Sequence, residues 1–142
     1  MLPNVITYSA LISALEKGKQ PEQALQIFQE MQQHCAVPDV VTYSALISAL
    51  EKGKQPEHAL EIFKEMQQHG IVPDVITYST LISALEKGKQ PEQALEIFKE
   101  MKHHGIVPDV IMYSALINAL EKGKRPEQAL EIFKEMAPLP SA

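Results

Sequence analysis

The sequence predicts an all-α fold, an α-solenoid of tandem antiparallel helix hairpins that wind into a right-handed superhelix. The first observation is a strict internal repeat of 35 residues, seen most simply in the tyrosines Tyr8, Tyr43, Tyr78 and Tyr113. The second is that each repeat carries two apolar stripes at helical spacing. A single hairpin of this length cannot bury both stripes, so neighbouring hairpins are expected to stack on one another.

The period divides the 142 residues into a single repeat domain of four units, 5–39, 40–74, 75–109 and an incomplete 110–142. The first three units are nearly identical in sequence. Such uniformity indicates either a consensus design or a recent duplication.

The first helix of each unit is predicted from its apolar stripe and its ends. In the first unit Tyr8, Leu11, Ile12 and Leu15 fall on one helical face. Gly18 is expected to end the helix in a left-handed conformation. The residue before the stripe can cap the helix N-terminus, and these caps are Asn4, Asp39, Asp74 and Asp109.

The second helix opens at a proline, Pro21 in the first unit, whose missing N–H costs nothing in a first turn. Its stripe consists of Ala24, Leu25, Phe28 and Met31. Gly70 and Gly105 close the later second helices, and Cys35 replaces that glycine in the first unit. The predicted helices span about 6–17 and 21–34, then the same pair shifted by 35.

Both ends of such a solenoid expose an apolar face without a partner, which predicts self-association through the uncapped ends. The proline-rich tail, 136–142, is not expected to continue the last helix, and end-to-end association or fraying is expected there.

The composition is that of a globular chain, with 45% hydrophobic and 22% charged residues. Thirteen basic and eighteen acidic residues give a net charge of −5, so no general polycation is available for nucleic acid. No apolar run approaches the ~20 residues of a membrane span. No secretory or transit segment is recognisable at the N-terminus, so localisation stays open.

Catalysis and cofactor binding are not expected, because almost every polar group recurs in each repeat whereas a catalytic site needs a singular constellation. The single cysteine excludes an internal disulfide. His34, His69 and His104 recur at equivalent positions, which stacking holds about 10 Å apart, so no shared metal site is expected.

The repeated motifs resemble the consensus of the pentatricopeptide repeat family, in its pure 35-residue (P-type) form. The resemblance rests on the opening Val40-Val41-Thr42-Tyr43, on Ala59-Leu60 with Phe63 and Met66, and on the closing Val72-Pro73-Asp74. It extends from Val5 to about Met136. The related tetratricopeptide pattern has a 34-residue period and an opening tryptophan, and this chain has no tryptophan.

The resemblance implies sequence-specific binding of single-stranded RNA, one base per repeat. It implies that the fifth and last residues of a repeat face one base, here Ser9 with Asp39, Ser44 with Asp74, Ser79 with Asp109, and an unpaired Ser114. It implies that the second residues sandwich the bases, here Ile6, Val41, Ile76 and Ile111. For a natural parent protein it also implies a mitochondrial or plastid location.

Side-chain chemistry suggests which base is preferred. A carboxylate only accepts hydrogen bonds, so it favours guanine N1–H and N2–H or uracil N3–H. A short serine leaves room for a purine and offers a donor for guanine O6, which makes guanine the first choice, in a short G-run, and uracil the second. The alternative is that these serines and aspartates only stabilise the helix start.

A ladder of lysines, one at the end of each first helix, is expected near the RNA phosphates. Its members are Lys17, Lys52, Lys87 and Lys122. Most glutamates fall on the second helices, away from that surface. The lysines also suit a helix C-terminus electrostatically, and both roles are compatible.

The alternative function is a protein-binding scaffold of the tetratricopeptide kind, and a third possibility is a consensus-like array with incidental RNA binding. A peptide groove would need varied residues on the first helices. The nearly invariant surface predicted here suits a periodic polymer better.

Overall fold

The computed structural model describes residues 1–137 and confirms the predicted all-α solenoid of helix hairpins. Residues 138–142, which include the prolines of the predicted non-helical tail, lie outside the described part. Within 1–137 there are eight helices and no strand. The helices are α1 (Val5–Lys17), α2 (Pro21–Gln33), α3 (Val40–Lys52), α4 (Pro56–Gln68), α5 (Val75–Lys87), α6 (Pro91–His103), α7 (Val110–Lys122) and α8 (Pro126–Met136). None of the described helices is long and apolar enough to cross a membrane.

The predicted N-terminal caps are confirmed at all four first helices. Asp39 accepts a hydrogen bond from the Thr42 backbone N–H at 3.0 Å, and Asp74 does the same for Thr77 at 2.9 Å. Asn4 and Asp109 cap α1 and α7 in the same way. Each cap satisfies one of the backbone donors that a helix N-terminus leaves without an intrahelical partner.

The glycines that follow the first helices have a different role from the predicted one. Gly18 and Gly53 have φ near −82°, which is not left-handed, and the left-handed residue is the next one, Lys19 at φ 56° and Lys54 at φ 58°. The expectation that Gly18 ends α1 in a left-handed conformation is therefore wrong. What requires glycine is a close approach between repeats, because a Cβ at Gly53 would lie 2.5 Å from Cγ of Pro21.

The first helices form one layer and the second helices another. Each first helix packs on the first helix of the next repeat, and each second helix packs on its own first helix and on the next one. Consecutive second helices lie farther apart and touch through polar side chains, since Gln67 of α4 donates a hydrogen bond to Glu100 of α6 and Lys102 of α6 pairs with Glu135 of α8. The core between the layers includes an edge-to-face pair of aromatic rings at each repeat boundary, as in Phe28–Tyr43 and Phe63–Tyr78, with centroids 5.4 and 5.3 Å apart.

The two end faces expose side chains that are buried at every internal boundary. Leu11 on the first repeat is 43% exposed, whereas the equivalent Leu46 is fully buried. Phe133 on the last repeat is 51% exposed, whereas the equivalent Phe98 is fully buried against Tyr113. Within residues 1–137, the first and last hairpins therefore expose apolar surface of the kind that is covered between neighbouring repeats.

The glycine contact predicts opposite effects for two equivalent substitutions. Gly88→Ala places a Cβ 2.6 Å from Cγ of Pro56, so it should destabilise the fold by about 1–3 kcal/mol, as overpacked sites do. Gly18→Ala meets no preceding repeat and has a permitted backbone conformation, so it should be neutral or stabilise by about 0.4–1 kcal/mol. Chemical unfolding followed by circular dichroism measures both. Equal losses would show that the glycines are needed for the helix end and not for the contact.

The end faces predict head-to-tail association of two copies, because docking the first repeat of one copy on the last repeat of another would bury both Leu11 and Phe133. Sedimentation should show concentration-dependent assembly of the native chain. Leu11→Glu and Phe133→Glu should each be monomeric, because each blocks one of the two faces.

Mixing the two variants distinguishes this geometry from others. Leu11→Glu keeps the Phe133 face and Phe133→Glu keeps the Leu11 face, so together they should form a 1:1 pair that grows no further. Self-association of either variant alone would contradict the head-to-tail arrangement.

Candidate nucleic-acid interface

The surface formed by the first helices carries a row of exposed aliphatic side chains, one per repeat. These are the predicted sandwiching residues Ile6, Val41, Ile76 and Ile111, with exposed fractions of 77%, 56%, 66% and 69%. Each lies in the first turn of its helix, where the preceding cap fixes the backbone. The row offers one exposed apolar contact per repeat on this surface.

One predicted site is assembled around a groove of about 350 Å³ in the second repeat. Ser44, from the first turn of α3, and Asp74, the cap of α5, both line this groove. Val41 and Ile76 line it as well. The structure thus brings together the fifth, the last and the two second residues that the family resemblance relates to one base.

The predicted aspartates are exposed and serve as helix caps. The hydrogen bonds that Asp39 and Asp74 accept from the following helix all go to Oδ1. Asp109 likewise accepts from the Met112 N–H through Oδ1, at 2.8 Å. A carboxylate has two oxygens and about four acceptor positions, so capping leaves each aspartate able to accept further hydrogen bonds.

Two of the predicted serines are held by a threonine of the next repeat. Ser9 Oγ lies 2.6 Å from Thr42 Oγ1, and Ser44 Oγ lies 2.8 Å from Thr77 Oγ1. Both threonines are buried. Sequence reasoning missed them as site residues, although a threonine recurs at the third position of the first three repeats.

The other two serines lack this contact. Ser79 is half-buried, and Met112 takes the place of the threonine in the next repeat. Ser114 is exposed and has no following repeat within residues 1–137. The four serines are therefore equivalent in sequence position but not in their surroundings.

Three lysines of the predicted ladder form ion pairs with glutamates of the preceding repeat. The pairs are Lys52–Glu16 at 3.1 Å, Lys87–Glu51 at 2.9 Å and Lys122–Glu86 at 3.6 Å. Sequence reasoning did not place these glutamates beside the ladder. The lysine side chains stay 38–59% exposed, whereas the glutamate side chains are only 14–17% exposed, so solvent and ligands can reach the ammonium groups.

The surroundings of one of these glutamates, Glu16, favour its charged form. Burial raises the pKa of the Glu16 carboxyl, but hydrogen bonds from Ser48 and Lys52 and the positive charges of Lys52 and Lys17 outweigh it. The net result is a pKa below the usual value. At neutral pH the surface therefore carries alternating charges of both signs.

The recurring histidines contact tyrosines of their own repeat. Tyr8 Oη lies 2.8 Å from His34 Nδ1, and the equivalent Tyr43–His69 distance is 3.3 Å. Among residues 1–137 no group of three or more histidine, cysteine or acidic side chains is arranged to hold a metal ion. Cys35 is exposed at φ 60°, the left-handed position that Gly70 occupies in the next repeat.

Sequence profiles of two repeat families match almost the whole chain. The profile described as the PPR repeat family matches residues 3–52, 38–87 and 80–122, and the one described as the PPR repeat matches residues 111–137. No curated protein matches the chain significantly.

Solved structures with the same architecture include the pentatricopeptide repeat protein PPR10 from maize, at 26% identity and a TM-score of 0.80, covering 95% of this chain and 19% of that one. PPR10 in complex with an 18-nucleotide psaJ RNA element matches at 26% identity and a TM-score of 0.80, and the match covers 99% of this chain and 21% of that one. The chain thus spans about a fifth of the length of these proteins. The PPR domain of Arabidopsis thaliana protein-only RNase P 1, in complex with tRNA, shares the fold at 18% identity and a TM-score of 0.82. That match covers 97% of this chain and 75% of that one.

Proposed function

Because the chain belongs to the pentatricopeptide repeat family, we propose that it binds single-stranded RNA along the surface of its first helices. The observation that carries the proposal is the groove of the second repeat, where Ser44, Asp74, Val41 and Ile76 meet. PPR10, a protein of the same architecture at 26% identity, has been solved in complex with an RNA element. Binding, and not catalysis, is the role proposed for this repeat array.

The arrangement of the groove suits one base per repeat. Val41 and Ile76, from successive repeats, both line the groove that contains Ser44 and Asp74. An unpaired base can pack its faces between them while its edge meets the serine and the aspartate. Double-stranded RNA does not offer unstacked bases, so a single strand is the proposed ligand.

Guanine is the proposed base at the three complete pairs, with uracil second. Each aspartate has acceptor capacity beyond its cap bonds, which suits a base edge that carries N–H donors. Serine is small enough to leave room for a purine. Only three pairs are complete, and stacking contributes about 1–3 kcal/mol per base, part of which is lost to ordering of the RNA. The dissociation constant should therefore be on the order of 10⁻⁶ M or higher.

Phosphate binding is assigned to the lysine ladder. Lys52, Lys87 and Lys122 are exposed, although each pairs with a largely buried glutamate, so phosphates can reach their ammonium groups. Because each phosphate contact releases counterions, binding should weaken as salt increases.

Exchanging the serines tests the base-reading residues. Ser44→Asn with Ser79→Asn, leaving Asp74 and Asp109 unchanged, should move the preference from guanine toward uracil at the two matching nucleotides. The larger amide fills the space that a purine needs. Fluorescence anisotropy with labelled oligonucleotides AAGGGAA, AAGUUAA and their A and C counterparts measures the change.

The control for the serine exchange is Ser13→Asn, which lines the same groove but belongs to no predicted pair. It should leave the base preference as it is. An unchanged preference in the double Ser44 and Ser79 variant, at measurable affinity, would mean that the serines are ordinary helix-start residues.

Removing two ladder lysines tests the phosphate contact. Lys52→Ala with Lys87→Ala should weaken binding to all sequences about equally, and should reduce the slope of log affinity against log salt by ~1–2. The matched control is Lys54→Ala with Lys89→Ala. It changes the net charge equally, but these two lysines lie in the turns after α3 and α5 and do not belong to the ladder. Equal losses in the two double variants would indicate a general charge effect and refute the ladder.

A further inference from the structure

The third residue of a repeat connects the two groups that face the base of the preceding repeat. Thr42 Oγ1 lies 2.9 Å from Asp39 Oδ1 and 2.6 Å from Ser9 Oγ. Thr77 Oγ1 lies 2.8 Å both from Asp74 Oδ1 and from Ser44 Oγ. In the first two repeats the serine and the aspartate of one pair are thus joined through one buried threonine hydroxyl.

The direction of these hydrogen bonds follows from the number of protons. A threonine hydroxyl has one proton, and a carboxylate can only accept. The proton of Thr77 therefore goes to Asp74, as the proton of Thr42 goes to Asp39. The serine has to donate its own proton to the threonine, so Ser44 has only lone pairs left to offer to a base.

We propose that Thr42 and Thr77 are positioning residues that turn Ser9 and Ser44 into hydrogen-bond acceptors and so make the first two base sites selective for guanine. This proposal rests on the proposed function. With both groups accepting, the complementary base edge must present two neighbouring donors. Guanine does so with N1–H and N2–H, whereas adenine, cytosine and uracil each place an acceptor next to their donor. The serine thus recognises guanine through N–H groups and not, as the sequence suggested, by donating to O6.

The third base site lacks the buried threonine hydroxyl. Met112 stands at the position of Thr42 and Thr77, and its thioether does not hold the Ser79 hydroxyl. The Asp109 cap on the Met112 N–H is retained at 2.8 Å, so the helix start is the same. Ser79 is able to rotate and to donate or accept, which makes its pair compatible with several base edges. The third site should therefore discriminate less than the second.

The experiment compares guanine and uracil at single sites. The N-terminal repeat is taken to bind the 5′ side of the RNA, the orientation that the family resemblance implies. In AAGGGAA, uracil then replaces either the middle guanine, facing Ser44 and Asp74, or the 3′ guanine, facing Ser79 and Asp109. In the native chain the guanine-over-uracil affinity ratio should be about two- to tenfold larger at the middle site, the size of one net hydrogen bond. Met112→Thr should raise the ratio at the 3′ site to that of the middle site.

The reverse change is made at the second site. Thr77→Val keeps the shape of the side chain and the backbone cap but removes the hydroxyl, so it should lower the middle-site ratio to that of the 3′ site. Thr77→Ser restores a hydroxyl and should retain the native ratio. This pair tests the proposal even if Met112→Thr does not fold, and thermal unfolding of each variant reports on the structure.

The outcomes separate the two proposals. The role of the threonines would be overturned if the guanine-over-uracil affinity ratio were unchanged in Met112→Thr and Thr77→Val, or if Thr77→Val lost the same affinity for both bases. In that case, a shift of preference toward uracil in Ser79→Asn would still support base reading. If Ser79→Asn shifts nothing, base reading fails and the threonine proposal fails with it.

Discussion

The stacking of one helix hairpin on the next is the interaction on which the whole molecule depends. A hairpin alone cannot bury its two apolar stripes, so the core exists only between repeats. The close contact of Pro21 with Gly53 and the Phe28–Tyr43 ring pair fix how neighbouring hairpins meet. Since the proposed base site combines Ser44, Asp74 and the threonine at the start of the next helix, its geometry is a product of the same stacking.

Charge is organised by stacking as well. The chain has a net charge of −5, yet the surface of the first helices alternates in sign because each glutamate such as Glu16 pairs with a lysine one repeat later. An alternating surface with an exposed aliphatic row attracts polyanions weakly and offers contacts to base faces. Recognition on such a surface would depend more on base stacking and edge chemistry than on a strong positive field.

Features that lie within one repeat were predictable from the sequence, and features between repeats were not. Helix starts at Pro21 and caps such as Asp39 follow from local chemistry, and the predicted bounds agree within one residue at most helix ends. The role of Gly53, the Ser44–Thr77 bond and the Lys52–Glu16 pair involve residues about 32 to 36 positions apart, which only stacking brings together. The 35-residue period did contain the relevant signal, since Met112 visibly interrupts the series of threonines.

The layered packing also determines how the chain reaches its folded state. Within residues 1–137, every contact between helices joins elements of the same or adjacent repeats. The contact order is therefore low, and low contact order is associated with fast folding, since little loop-closure entropy is lost before contacts form. Nucleation in any pair of repeats can propagate in both directions. The free energy of unfolding of such an array is then close to the sum of contributions from single repeats and from the interfaces between neighbours.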